Sequence, residues 1–179
     1  KRHLKDYYTD DELKAATRRC FDVYVKRHFE TLRHETISKE FADKYLKAEG
    51  IQHLDAALKN GKGAIILFFH FGSFFMTLPA LAFRGYRAVT IIGTPELKKQ
   101  SWAEKQVYNI RKDERYQFPS KFLRADKSLK PIIKSLRENE LVQLDYDGRD
   151  GTKWIPADFL GQTGYFSPGA LRIAAMTGA

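Results

Sequence analysis

The sequence is poor in features that would assign it to several common protein classes. It has one cysteine, Cys20, among 179 residues, so no disulfide can form within the chain, and the apolar helical pattern around Cys20 predicts a core thiol. Cys/His metal spacing, a Gly-rich phosphate loop followed by Lys, the GxSxG elbow and a dinucleotide fingerprint are all missing. These absences exclude the common zinc, P-loop, serine hydrolase and Rossmann motifs.

Charge is missing from one long stretch. Residues 63–83, GAIILFFHFGSFFMTLPALAF, contain no Asp, Glu, Lys or Arg, although 30% of the chain is charged. About 20 apolar residues can span a bilayer as a helix. The polar group His70, Gly72 and Ser73 lies near the middle of this stretch, and Pro79 interrupts its second half. Both features favour a buried strand, a turn and a helix over a transmembrane span.

Within this stretch, Ala64–Phe69 is an apolar run that follows the turn GKG. It predicts a strand buried on both faces. Ser73 is predicted to cap a helix that runs to about Phe83 and is closed by Arg84 and Gly85. His70 then lies in the turn that leaves the carboxyl end of the strand, where open α/β sheets bind their ligands.

Helices and strands are predicted to alternate along the rest of the chain. TDDE has the capping-box spacing of Thr9 and Glu12 and begins an N-terminal helix. YRAVTIIG and ELVQLDYDGRDG predict two further strands, and KSLKPIIKSLRENE predicts a helix with Pro131 in its first turn. The pattern predicts an α/β fold with a layered, mainly parallel sheet flanked by helices, and a helical N-terminal segment.

The chain is interpreted as a single domain over residues 1–179. Residues 1–60 form its helical N-terminal part and residues 61–179 its α/β core. The sequence begins with Lys1 and stops directly after the apolar helical pattern LRIAAMTGA. We therefore expect a fragment of a longer protein, with an N-terminal anchor and a C-terminal part missing.

Positive charge is concentrated in the middle third of the sequence. The net charge is +9, and residues 84–140 carry 14 basic and 7 acidic side chains. Such a surplus suits anionic lipid headgroups, phosphorylated sugars, an acidic carrier protein or nucleic acid. Binding to anionic vesicles that weakens with salt is expected.

Titratable side chains follow two of the predicted strands. His70 follows the first, and Asp145, Asp147 and Asp150 follow a later one. A histidine at a strand end can act as a general base because its pKa lies near working pH. Two other interpretations stay open at this point: a buried histidine that binds backbone groups, and acids that belong to a solvated turn.

The order of several motifs resembles the lipid A late acyltransferases of the lysophospholipid acyltransferase-like superfamily. The matching residues, in chain order, are Glu49 and Gly50, the GKG of Gly61 to Gly63, the HFG of His70 to Gly72, Asp145, Phe159 to Gly161, Gly169, and Ala174 to Ala179. The resemblance covers nearly the whole chain.

This resemblance implies an O-acyltransferase. His70 is expected to deprotonate a hydroxyl of a glycolipid or related membrane lipid, which attacks a fatty acyl thioester of acyl carrier protein or coenzyme A. No bound cofactor and no metal are expected. An arginine of the family's substrate site best matches Arg111, and Gly72, Ser73, Asp147 and Gly161 are the other expected substrate-binding residues. The implied location is the cytoplasmic face of the bacterial inner membrane.

The sequence departs from the family pattern beside His70. The family has an acid five residues after its histidine, where this chain has Phe75, and an Asn where it has Ser73. Asp145 or Asp147 is expected to replace the acid, and Asp145 is the candidate catalytic residue of the two. The alternatives are a slow enzyme and a degenerate protein that binds lipid or serves as an assembly subunit of a membrane complex. A nucleic-acid-binding domain is a further alternative, disfavoured because the aromatic residues do not alternate with Lys and Arg.

Overall fold

The computed structural model describes residues 4–5, 7–33, 36–92, 101–102, 105–106, 109, 120–124, 128–148, 151 and 153–179. The helices are α1 (Asp10–Leu32), α2 (Lys39–Tyr45), α3 (Ile51–Leu58), α4 (Thr77–Ala82), α5 (Lys130–Arg137) and α6 (Gly169–Thr177), with a 3₁₀ turn over Phe74–Met76. The strands are β1 (Ala64–Phe68), β2 (Ala88–Ile92), β3 (Ser120–Arg124), β4 (Leu141–Asp145), β5 (Ile155–Phe159) and β6 (Gln162–Phe166).

The main sheet is parallel and has the strand order β1-β4-β2-β3. Its central strands are apolar where they meet the helices, and the core there contains Val89, Val142, Ile132, Leu136 and Ile173. β5 and β6 form a separate antiparallel hairpin. The predicted α/β fold, a mainly parallel sheet flanked by helices with a helical N-terminal segment, is thus confirmed.

Local sequence signals explain where several elements begin. The Thr9 backbone N–H donates to Glu12 Oε2 at 2.8 Å, and the Glu12 N–H donates to Thr9 Oγ1 at 3.3 Å, which is the predicted capping box. Pro131 lies in the first turn of α5, where its missing N–H costs nothing. Both predictions are confirmed.

Other predictions fail where tertiary contacts decide the outcome. Cys20 is exposed, because α1 packs little against the core: of its residues whose burial is described, only Leu13 is buried. β1 ends at Phe68 and leaves Leu67 39% exposed, so it is not buried on both faces. The helix expected from Ser73 is divided into the 3₁₀ turn and the short α4. Within the described residues, no helix is both long enough and apolar enough to cross a membrane.

A buried carboxylate ties the amino-terminal ends of the strands together. The Glu140 side chain is fully buried, and its Oε1 accepts hydrogen bonds from Arg87 at 2.6 Å and from Lys121 at 2.7 Å. Burial alone would raise the pKa of Glu140. Hydrogen bonds from Lys121 and Ser135, with the charges of Lys121 and Arg87, outweigh it and hold that pKa below its ordinary value.

Replacing Glu140 by Gln should therefore destabilise the fold in a pH-dependent way. We expect a loss of about 1.5 to 3 kcal/mol at neutral pH, the range for a hydrogen bond to a charged group. Because the pKa of Glu140 is lower in the folded protein, its ionisation stabilises the fold at any pH above the unfolded pKa of about 4.3. This contribution is lost as the pH falls from there through the folded pKa. Urea unfolding from pH 7 to pH 3 should show the two proteins converging. Glu138→Gln, at a carboxylate 3.8 Å from Lys121 and 39% exposed, is the control and should change stability little.

The turn that leads into β1 requires glycine for two different reasons. Gly61 and Gly63 have φ angles of +70° and +71°, which side chains adopt only with strain. A Cβ on Gly61 would meet nothing within 4 Å, whereas one on Gly63 would lie 2.7 Å from the Glu140 carbonyl oxygen and 2.8 Å from that of Leu136. The chain that enters β1 thus passes against the α5–β4 backbone with no room for a side chain.

Gly63→Ala should consequently destabilise the protein more than Gly61→Ala. Both variants incur the left-handed strain of about 1 to 2 kcal/mol. Only Gly63→Ala adds a backbone clash, worth a further 1 to 3 kcal/mol, roughly, as for other overpacked sites. Denaturant midpoints of the two variants measure the difference directly, and equal midpoints would show that the approach to α5 is not tight.

Candidate active site

The candidate site lies where β1 and β4 end. These strands are parallel neighbours in a register that pairs Phe68 with Asp145, and the Tyr146 N–H continues the pairing by donating to the Phe68 carbonyl oxygen at 2.9 Å. Residues that follow the two strands therefore emerge at the same carboxyl edge of the sheet. His70 and Asp147, 77 positions apart in the sequence, meet there.

One carboxylate holds both the ring and the backbone of His70. His70 Nδ1 lies 2.8 Å from Asp147 Oδ1, and the His70 backbone N–H donates to Asp147 Oδ2 at 3.0 Å. Burial raises the pKa of Asp147, but the hydrogen bonds from the ring and backbone of His70 and the charge of the imidazolium outweigh it. The pKa of Asp147 therefore lies below its ordinary value. The carboxylate is charged at neutral pH and selects the His70 tautomer with its proton on Nδ1.

Asp145 faces the other ring nitrogen of His70. Its Oδ2 lies 3.4 Å from His70 Nε2, longer than a well-formed hydrogen bond, and the His70 and Asp145 side chains are 42% and 34% exposed. In the tautomer selected by Asp147, Nε2 carries the lone pair, on the side of the ring that Asp145 faces. An imidazolium formed at His70 would be attracted to both carboxylates.

Aromatic rings pack around this group without enclosing it. The Phe74 ring meets the His70 ring edge to face at a centroid distance of 4.7 Å. Phe75 packs against Phe74 at 4.2 Å and is partly buried. The Arg27 guanidinium of α1 lies 5.0 Å from the Phe74 ring centroid and 5.7 Å from that of Phe75. Phe75 is thus part of a cation–π contact with α1.

Gly72 and Ser73 shape the turn after His70. Gly72 has a φ of +58° with open space where a Cβ would be, so its backbone conformation alone favours glycine there. Ser73 does not cap a helix, which corrects the prediction. Its Oγ instead donates to Glu30 Oε1 of α1 at 2.9 Å, because α1 packs beside this turn. Their predicted substrate contacts stay predictions.

Gly161 lies in the turn of the β5–β6 hairpin, with a φ of +74° that follows Leu160 at +55°. Stacking joins this hairpin to the site: Phe159 packs on Phe69 at 6.3 Å, and Phe166 packs on Tyr146 at 5.1 Å. Phe69 precedes His70, and Tyr146 lies between the two aspartates. Arg111 and Asp150, the remaining candidates, lie outside the described residues.

Some site contacts were not predicted from the sequence. The stacking of the hairpin on the site could have been suspected, because Phe69 and Tyr146, on which it packs, are sequence neighbours of the candidate catalytic side chains. The contacts of Arg27 and Glu30 have no such signal, because they depend on how α1 packs. In the part of the chain that the structure describes, no group of three or more His, Cys, Asp or Glu side chains is arranged to hold a metal ion.

Comparison with known families agrees with the fold and the motif order. Residues 8–179 match the family described as bacterial lipid A biosynthesis acyltransferase. No curated protein matches the chain in sequence. Since the family match covers all but the first seven residues, the chain belongs to the bacterial lipid A biosynthesis acyltransferase family.

Proposed function

We propose that this chain transfers a fatty acyl group from an acyl thioester to a hydroxyl of a glycolipid or related membrane lipid, with His70 as general base. Family membership supports acyl transfer to a lipid in general terms. The observation that carries the finer proposal is the 2.8 Å contact between His70 Nδ1 and Asp147, which leaves the lone pair of the neutral ring on Nε2. We further propose acyl carrier protein or coenzyme A as the thioester carrier, an anionic acceptor and work at the cytoplasmic face of the inner membrane.

The proposed reaction uses each nitrogen of His70 for a different task. Nε2 takes the proton of the acceptor hydroxyl as the hydroxyl oxygen attacks the thioester carbonyl carbon. The tetrahedral intermediate collapses, the carbon–sulfur bond breaks, and the imidazolium returns the proton to the departing thiolate. Asp147 holds the ring and stabilises its positive charge through Nδ1, as the aspartate of a serine hydrolase triad does.

Asp145 has a separate role in this proposal. Its oxygen lies 3.4 Å from Nε2, so it adjoins the position that the acceptor hydroxyl must occupy to reach that nitrogen. A carboxylate there can accept a hydrogen bond from a second acceptor hydroxyl and can stabilise the imidazolium. Asp147 therefore replaces the acid that the family resemblance places at Phe75, and Asp145 acts on the substrate side of the ring.

A degenerate binding protein is the second candidate, because Phe75 stands where the resemblance implies an acid and packs with Phe74 beneath Arg27. In that case the fold binds lipid or a partner in a membrane complex without acyl transfer. Replacing Asp147 by Asn separates the two candidates, since only acyl transfer depends on a charged carboxylate at Nδ1.

Asp147→Asn is expected to lower kcat for thioester-dependent acyl transfer by about 10² to 10⁴, the range for a positioned acid–base group. An amide holds the ring but no longer stabilises its charge. KM should change little. Asp158→Asn, at an exposed carboxylate of β5, is the matched control and should retain wild-type kcat. Full activity of Asp147→Asn would contradict the assigned pairing.

Measuring acyl transfer by the wild type, by His70→Ala and by Phe75→Glu distinguishes an active enzyme from a degenerate binding protein. We expect measurable wild-type transfer that His70→Ala abolishes. If the wild type is silent and Phe75→Glu is active, the fold has lost its catalytic pair. Silence of all three proteins, each shown to be folded by circular dichroism, would favour the binding role.

A further inference from the structure

The turn that carries His70 is held at two points. At its start, the His70 backbone N–H donates to Asp147 Oδ2 at 3.0 Å. Three residues later, the Ser73 hydroxyl donates to Glu30 Oε1 of α1 at 2.9 Å. Gly72 lies between them with a φ of +58°, and glycine restricts backbone rotation less than any other residue. The position of the turn therefore depends on both anchors.

The second anchor comes from one side of α1. Arg27 and Glu30 are three residues apart, so they lie on the same side of the helix. Glu30 accepts from Ser73, and the Arg27 guanidinium lies 5.0 Å from the centroid of the Phe74 ring. Phe74 in turn meets the His70 ring at a centroid distance of 4.7 Å. Two successive ring contacts thus connect α1 with the imidazole.

Stability alone does not account for Glu30. The side chain is partly buried, and within the described part of the chain its Oε2 is buried without a hydrogen-bond partner. Taking a carboxylate oxygen out of water without such a partner destabilises a fold, and buried polar groups in this state are rare. Among the described residues, the one hydrogen bond that this side chain accepts comes from the turn after His70.

We propose that Glu30 is a positioning residue that fixes the turn through Ser73 and thereby keeps the Phe74 ring against the imidazole of His70. Asp147 sets the charge and the tautomer of that ring, whereas Glu30 sets its placement. The effect on rate rests on the proposed function, and the effect on the ring does not. A displacement of about 1 Å at a reacting group can cost about 10²-fold in rate.

The placement of the ring is tested by NMR on the chain without substrate. The Phe74 ring current acts on the ring protons of His70 because the two rings are in contact. Glu30→Ala should move these resonances toward those of a solvated histidine. Glu30→Gln, whose amide oxygen still accepts from Ser73, should leave them near their wild-type positions. Asp22→Ala removes an exposed acid of α1 and is the matched control. Unchanged His70 resonances in Glu30→Ala would overturn the proposal, with or without acyl transfer by the chain.

The consequence for rate is tested by acyl transfer. Glu30→Ala and Ser73→Ala should each lower kcat by about 10- to 100-fold with little change in KM. The double variant should be no slower than either single variant, because both substitutions remove the same contact. Glu30→Gln should stay within about threefold of the wild type, since a neutral hydrogen bond replaces a charge-assisted one. Asp22→Ala should match the wild type.

Two results of the rate experiment would also overturn the proposal. One is a double variant whose loss is the product of the single losses, which would assign Glu30 and Ser73 separate roles. The other is unfolding of both Glu30→Ala and Ser73→Ala under assay conditions, measured by circular dichroism, which would make the contact structural. A wild type that transfers no acyl group, with His70 resonances that respond to Glu30→Ala, would refute the proposed function and uphold the positioning.

Discussion

Parallel pairing of β1 with β4 is the constraint on which the candidate site depends. The register that opposes Phe68 to Asp145 decides which residues emerge at the carboxyl edge of the sheet. A slip by one residue would turn the following side chains to the other face of the sheet. Asp147 would then no longer reach both the ring and the backbone of His70. The tight passage of Gly63 beside α5 and β4 fixes the same register from the opposite end.

The carboxylate that contacts His70 Nδ1 comes from the end of the neighbouring strand. An acid five residues after the histidine would reach it from the same turn. In this chain Asp147 reaches it from the neighbouring strand and accepts from two donors of one residue. Phe75 packs with Phe74 under Arg27. In the proposed mechanism the imidazole is therefore supported from the neighbouring strand and not from its own turn.

Short-range signals were enough to predict much of the fold. These signals act within a few residues, so each can be recognised in the sequence. They are the spacing of Thr9 and Glu12, the turn before Ala64 and the proline at the start of α5. The His70 and Asp145 edge was also predictable, because parallel strands end together. Cys20 and Ser73 were misjudged because their environments depend on the packing of α1, which no local pattern encodes. The sequence could not decide whether Asp145 or Asp147 pairs with His70, and in the structure Asp147 makes the shorter contact.

The hairpin of β5 and β6 has a consequence for local stability. Most of its side chains are exposed, and its turn holds Leu160 in a left-handed conformation that costs about 1 to 2 kcal/mol. An isolated two-stranded hairpin is marginal in water. Its order therefore depends on the stacking of Phe159 and Phe166 against Phe69 and Tyr146. Opening of the hairpin removes these ring contacts from the residue before His70 and from the residue between Asp145 and Asp147, so amide exchange in β5 and β6 reports on how firmly those residues are held.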